Sequence, residues 1–143
     1  MAQATTSTAP LTPEGKYFYG LGRRKSATAR ARLYEGKGSV TVNGKTAEAY
    51  LSGNKALLAE ITDPLALVGK QNNYDVTIMV NGGGLSGQVD AIKLAIAKTI
   101  ALANADLRST LKKADFLKRD SREKERKKYG LRSARKREQF SKR

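Results

Sequence analysis

Between positions 122 and 137 the chain carries Arg122, Arg126, Lys127, Lys128, Arg132, Arg135, Lys136 and Arg137, and it closes on Ser141, Lys142 and Arg143. Cations at this density do one kind of chemistry well. Each can neutralise a phosphate and release its condensed counterion, adding about 0.7 to 0.9 to the salt slope of binding. Tyr129 and Phe140, interleaved with the cations, can stack on bases or sugars, and they serve equally well as apolar plugs in a protein pocket. The mixed-sign run 118–128 has a plainer reading as a solvated helix laced by i,i+4 pairs; beyond it partners of opposite sign run out. A second cluster, Arg23-Arg24-Lys25, stands beside Gly20 and Gly22, where a glycine-bracketed backbone can approach a phosphate closely. Taken alone it reads as well as a charged hairpin tip. Arg30 and Arg32, on one face of a strand, extend that patch, although cations also guard an exposed edge strand against aggregation.

Composition removes most other chemistry. The 143 residues include no His and no Cys, so a thiolate nucleophile, a disulfide, a thiol or imidazole metal site and a Ser/His/Asp triad all lack a necessary group. The formal charge is +15, and it is unevenly spread: +5 over 1–32, 0 over 33–111 and +10 over 112–143. A neutral body between two cationic flanks implies a polyanion that relieves their self-repulsion in the working state, and nucleic acid leads. No apolar run approaches the roughly 20 residues that cross a bilayer, and Met1 to Pro13 resembles neither a secretory signal nor a mitochondrial transit peptide, so a soluble intracellular protein is expected.

The elements that must position these residues follow from periodicity. Residues 1–15, rich in Ala, Thr, Ser and Pro, read as a disordered leader. Order begins at Tyr17-Phe18-Tyr19. From Ala27 the chain alternates, with Ala27, Ala29, Ala31 and Leu33 on one side of a strand and Thr28, Arg30, Arg32 and Tyr34 on the other. Turns at Glu35-Gly36-Lys37-Gly38 and Asn43-Gly44 bracket a strand over 39–42, giving an antiparallel meander. A short helix is expected around Glu48 to Leu51, another from Asn54, and a fresh start at Pro64, where proline suits a first turn. Tyr74 to Val80 reads as the fourth strand. Ser86 is placed to cap the next helix with Asp90 in its first turn, and Val89, Ile92, Ile96, Ile100 and Ala103 give it a 3.6-residue apolar stripe that must cover a sheet. Asn104 can cap a continuation through Leu107 and Leu111 to about Lys113. After Phe116-Leu117 too few apolar anchors remain to offset the entropy of ordering, so 118–143 reads as a tail, about 85 Å long if extended at about 3.3 Å per residue. The divisions are a leader (1–15), a globular body (16–117) and a tail (118–143).

Gly82-Gly83-Gly84-Leu85-Ser86-Gly87 before a helix can cradle a phosphate on free N–H groups, as in a small phosphate-transferring enzyme. It lacks the lysine of a P-loop, and no carboxylate cluster suggests a magnesium site, so a tight strand-to-helix turn is the simpler reading. A nucleoid DNA-binding protein would share the charge, but no helix-turn-helix or other DNA-docking element is visible.

An ordered set of motifs then adds a resemblance. Tyr19-Gly20-Leu21-Gly22-Arg23-Arg24-Lys25-Ser26-Ala27, Val42-Asn43-Gly44, Gly82 to Gln88 leading to Ala91-Ile92, Asp120-Ser121-Arg122, Glu125 to Gly130 and the terminal Gln139-Phe140-Ser141-Lys142-Arg143 are similar to the family of the ninth protein of the small ribosomal subunit, bacterial type. The likeness covers about 17–143. It implies a two-layer α/β (α+β) sandwich, a four-stranded, mostly antiparallel sheet with helices on one face, a left-handed β-α-β crossover against the usual hand, and a long basic tail. It also implies a non-enzymatic place in the head of the small subunit, bound to the 3′ major domain of its ribosomal RNA and beside neighbouring head proteins. By position, Lys142 and Arg143, with Ser141 helping, would contact the anticodon stem-loop of peptidyl-site transfer RNA. Arg23, Arg24, Lys25, Arg126, Lys127 and Lys128 would lie along ribosomal RNA, and Arg30, Arg32, Arg122, Arg132, Arg135, Lys136 and Arg137 are assigned to the same RNA. Backbone contacts of this kind are blind to sequence, which suits a protein that must hold every transfer RNA. Bacterial members commonly have Ala-Pro where this chain has Arg137-Glu138; Glu138 can pair with Arg135 or a neighbouring protein. No cofactor is expected, Mg2+ entering only as a counterion of the RNA, and the bacterial cytosol is expected over an organelle.

Overall fold

The second strand organises the molecule because its alternation has to be honoured on both sides. The computed structural model describes residues 15–142; the expected leader, apart from Gly15, and the terminal Arg143 lie outside the described residues. Strand β1 (Phe18–Arg24) pairs antiparallel with β2 (Ala27–Glu35), and β2 pairs antiparallel with a later strand, Tyr74–Asn81. Between them come β3 (Val40–Val42), β4 (Lys45–Thr46), α1 (Ala47–Tyr50) and α2 (Lys55–Leu67), so Tyr74–Asn81 is β5. The sheet order is β1-β2-β5-β3-β4, with β3 parallel to β5 and joined to it through α1 and α2. The sheet therefore has five strands rather than four; β4, two residues after the Asn43-Gly44 turn, is too short to leave an alternating pattern. Helix α3 (Leu85–Ala103), a 3-10 turn (Ala105–Leu107) and α4 (Arg108–Lys113) complete the order.

Ala27, Ala29, Ala31 and Leu33 are all buried, as are Val76, Ile78 and Val80 opposite them on β5. Against this face α3 lays Val89, Ile92, Ile96 and Ile100, each fully buried. Burial on this scale contributes about 1.5 to 3 kcal/mol for each large aliphatic side chain. The alanines on β2 are small for a reason: α3 approaches the sheet closely. A Cβ on Gly22 would stand 1.9 Å from the Ala91 carbonyl oxygen, and one on Gly20 2.5 Å from that of Ala95. These two glycines admit a helix, not a phosphate.

Two helix boundaries differ from expectation. Pro64 lies inside a continuous α2 rather than starting a new helix. Ile61, Pro64 and Leu65 are buried together, so packing against α3 holds the turn that the proline would otherwise break. The helix stops where Gly69, at φ +66, directs its N–H to Ala66 O and that of Lys70 to Leu65 O, a Schellman closure. Helix α3 begins at Leu85, with Gly84 at the N-cap and no side-chain cap, so Ser86 lies within the first turn and Asp90 beyond it. The amide of Asn104 goes to the Tyr74 hydroxyl (3.0 Å) instead of capping.

Candidate nucleic-acid interface

Three parts of the chain meet at one end of the sheet. The β1–β2 hairpin turns at Lys25 and Ser26, with Lys25 in the left-handed region at φ +49. The glycine turn after β5 crosses directly under it: a Cβ on Gly82 would stand 2.5 Å from Ser26 O, and one on Gly83 3.0 Å from Ala27 Cβ. Gly82 and Gly83 adopt φ of +73 and +68, and the Gln88 amide returns to Gly82 O at 3.0 Å. This segment is a tight strand-to-helix turn packed against a hairpin.

The third part is the root of the tail. Helix α4 ends in another Schellman closure, with Asp115 at φ +58 and the Phe116 N–H on Leu111 O at 3.1 Å. That reversal sends Phe116 under Lys93, whose ammonium lies 5.0 Å from the ring centroid and 3.3 Å from Asp63. Four residues further on, Asp120 meets Arg24. The guanidinium of Arg24 contacts Asp90 of α3 at 3.3 Å and Asp120 at 3.1 Å, and donates to the Arg122 carbonyl at 2.7 Å. The end of β1 and the root of the tail are thus one neighbourhood in space.

This arrangement sorts the basic residues. Arg24 is engaged within the chain, its side chain 13% exposed, whereas Arg23 and Lys25 on either side are exposed and meet no carboxylate among the described residues. Arg122 clasps Asp120 through its backbone N–H and its guanidinium at 2.8 to 3.2 Å. Those side-chain bonds, then the backbone bond, with Arg24 adding to them, hold the Asp120 carboxyl well below the usual carboxylate range; Asp120 in turn pushes Arg122 up. Sequence reasoning missed Asp90 and Asp120 as fixed points. The available signal was an acid set between Arg119 and Arg122, where it must be paired.

From residue 114 to 142 no helix or strand forms, so 118–128 is not a charged helix, although Arg119 and Glu123 do pair at 3.5 Å. Glu125 takes both Lys128 and Arg135, the latter at 2.9 Å, and the Arg132 N–H reaches Lys136 O at 2.8 Å. Arg135 is therefore spent on Glu125, and Glu138 has no cationic partner among the described residues. Arg126, Lys127, Arg132, Lys136, Arg137 and Lys142 are exposed and outside any ion pair described, as are Tyr129 and Phe140, two fully presented rings. Arg30 and Arg32 project from the face of the sheet opposite α3, and β2 is an inner strand, so edge protection does not explain them.

The described residues form a mixed α/β body with a cationic segment that carries no helix or strand; among them no group of three or more His, Cys, Asp or Glu side chains could hold a metal ion, and no helix is long and apolar enough to cross a membrane. The ribosomal protein S9/S16 family model matches residues 22–143, and the chain belongs to that family: it is a ribosomal protein and not an enzyme. It is 51% identical over 128 residues to the small ribosomal subunit protein uS9 of Desulfovibrio desulfuricans, covering 90% of this chain and 98% of that one. It is 49% identical over 126 residues to uS9 of Prochlorococcus marinus (88% and 93% covered) and, over the same length, to uS9c of Mesostigma viride (88% and 92%).

Proposed function

We propose that this chain is a structural component of the head of the small ribosomal subunit, where it binds the 3′ major domain of the ribosomal RNA and reaches peptidyl-site transfer RNA with its last residues. The observation that carries this reading is the division of labour among its cations. Arg24 and Arg122 build the root of the tail, while Arg23, Lys25, Arg126, Lys127, Arg132, Lys136, Arg137 and Lys142 stay free for phosphate. Residues 118–143 act as a basic tail on a folded body, and Ser141, Lys142 and Arg143 at its end grip the anticodon stem-loop through its backbone. A terminal contact suits a ligand that is exchanged at every translocation step, because only the tip has to let go. Ribosomal RNA, peptidyl-site transfer RNA and neighbouring head proteins are the partners; Mg2+ enters as a counterion of the RNA, and the bacterial cytosol is the setting.

Removing 141–143 should leave assembly into subunits intact and weaken retention of peptidyl-site transfer RNA in filter binding. Unchanged retention together with unchanged reading-frame accuracy would overturn the role of the tip. Removing 118–143 should also lower occupancy of the subunit on a sucrose gradient, and normal occupancy would overturn the role of the tail in assembly.

A further inference from the structure

We propose that the face of the sheet turned away from α3 is a platform on which unpaired RNA bases stack, with Tyr17 and Tyr19 as the stacking rings and Arg30 and Arg32 as their cationic partners. The inference rests on the RNA-binding reading above and narrows it to a surface and a mode.

Registration places the residues. Tyr19 lies opposite Arg32 across β1 and β2, Leu21 lies opposite Arg30, and Arg30 is followed on β5 by Met79. Tyr19, on the edge strand β1, is 47% exposed, and Met79 is 50% exposed on the inner strand β5, where a sheet covered on both faces would bury it. Tyr17 extends the row: its ring lies 5.6 Å from that of Tyr34, and the Arg32 guanidinium sits 5.1 Å from its centroid. Arg32, which covers Tyr17, is also the cross-strand neighbour of Tyr19 about 4.8 Å away in backbone spacing, so the three residues lie side by side on this face.

The charge on this face identifies the partner. Arg30 and Arg32 have no carboxylate within ion-pair distance among the described residues. The carboxylate on this side of β5, Asp75, is occupied by the backbone N–H groups of Lys37, Gly38 and Ser39. The face is therefore cationic without internal relief, which selects an anion. Phosphate alone would need only the arginines. Half-exposed tyrosines and an exposed methionine between them add flat apolar surface, and an unpaired base offers both a π-face and a phosphate. A duplex hides its bases and would leave the rings idle.

Full-length protein is titrated with a fluorescent ten-residue oligouridine and with a duplex RNA of equal length, and the natural chain is compared with Tyr19→Ala, Tyr19→Phe and the double change Arg30→Gln with Arg32→Gln. Tyr19→Ala should weaken single-strand binding about fivefold to a hundredfold with an unchanged salt slope, leave duplex binding unaltered, and be rescued by Tyr19→Phe. The arginine pair should lower the single-strand salt slope by about 1.4. Thermal melts that match the natural chain show that the variants are folded. In purified small subunits, ultraviolet irradiation should leave a nucleotide adduct on the tryptic peptide 17–23. Equal affinity of Tyr19→Ala and the natural chain, with no adduct on 17–23, overturns the platform while leaving subunit assembly and the tail unaffected. Protection of these tyrosines from oxidation that survives RNase treatment would identify a protein as occupant and overturn it too. Failure of the chain to enter subunits at all would instead remove the reading on which the platform rests.

Discussion

Arg24 and Asp120 stand 3.1 Å apart, guanidinium to carboxylate, joining the end of the first strand to the first residues beyond the last packed hydrophobics. The same guanidinium reaches Asp90 on α3, so one side chain ties strand, helix and tail. A long cationic segment would otherwise leave the body in any direction. Here the Schellman reversal at Asp115, the seat of Phe116 under Lys93 and the Arg24 clasp fix its exit beside the hairpin. Asp120→Asn and Arg24→Gln should each release this root. Limited trypsin digestion should then cut after Arg119 and Arg122 severalfold faster, with cutting after Arg137 unchanged, because only the clasped segment changes its open population. Equal rates at all three sites would show that the clasp does not order the root.

Gly22 and Gly44 make a controlled comparison between crowding and backbone conformation. A Cβ on Gly22 meets the backbone of Ala91, which cannot swing aside, so Gly22→Ala must lift α3 from the sheet. It should cost about 3 kcal/mol, at the upper end for overpacking. Gly44 has open space around it but a φ of +75, so Gly44→Ala should cost only about 1 kcal/mol of left-handed backbone strain. Urea denaturation of the two variants should show the threefold difference; similar costs would mean that α3 yields easily.

The parts of this molecule legible in its sequence are those where one side of an element must be buried. On β2 the alternation from Ala27 to Leu33 marks the covered face without ambiguity, and on α3 the run from Val89 to Ile100 does so at helical spacing. Pro64 misled because its local preference to begin a helix is outweighed by the shared burial of Ile61 and Leu65, a tertiary effect. Gly84 at the N-cap was hidden by Ser86, the better capping residue by type, since the turn that sets the helix start depends on Gly82 and Gly83 lying under the hairpin. In the candidate interface, charge marked the two basic segments. It could not separate Arg24 from Arg23, because the Arg24–Asp120 pair joins distant segments and leaves no periodic trace. The Glu125–Arg135 pair, in a segment with no helix or strand, is invisible for the same reason.

Thr77 carries a buried hydroxyl for which the described residues provide no hydrogen-bond partner, at a position flanked by Arg32 and Thr41. A hydroxyl withdrawn from water without a partner is destabilising, and valine keeps the branched shape that suits a strand. Thr77→Val should raise stability by about 1 kcal/mol, seen as a higher urea midpoint at constant m-value. A lower midpoint would show that the hydroxyl is satisfied in solution.

Asp75 gives the fold a dependence on acid. Partial burial pushes its carboxyl up, but hydrogen bonds from Ser39, Lys37 and Gly38 together outweigh that and set it below its ordinary 3.8. The backbone N–H groups of Lys37 and Gly38 reach Oδ1 at 3.0 Å and that of Ser39 at 2.7 Å, so one carboxylate oxygen closes the loop between β2 and β3. Because the folded value is the lower one, the stabilisation is complete above the unfolded value and is lost as pH falls through the folded value. Asp75→Asn should therefore cost about 1 to 2 kcal/mol at pH 7, and the gap should close as pH falls below about 3.8, read by denaturant titration at several pH values. A Cβ on Gly36 would stand 2.0 Å from Asp75 Oδ2, so Gly36→Ala unseats the same carboxylate. Since both changes break one contact set, the double variant Gly36→Ala with Asp75→Ala should cost less than the sum of its singles. Strict additivity would mean that the loop is held by something other than this carboxylate.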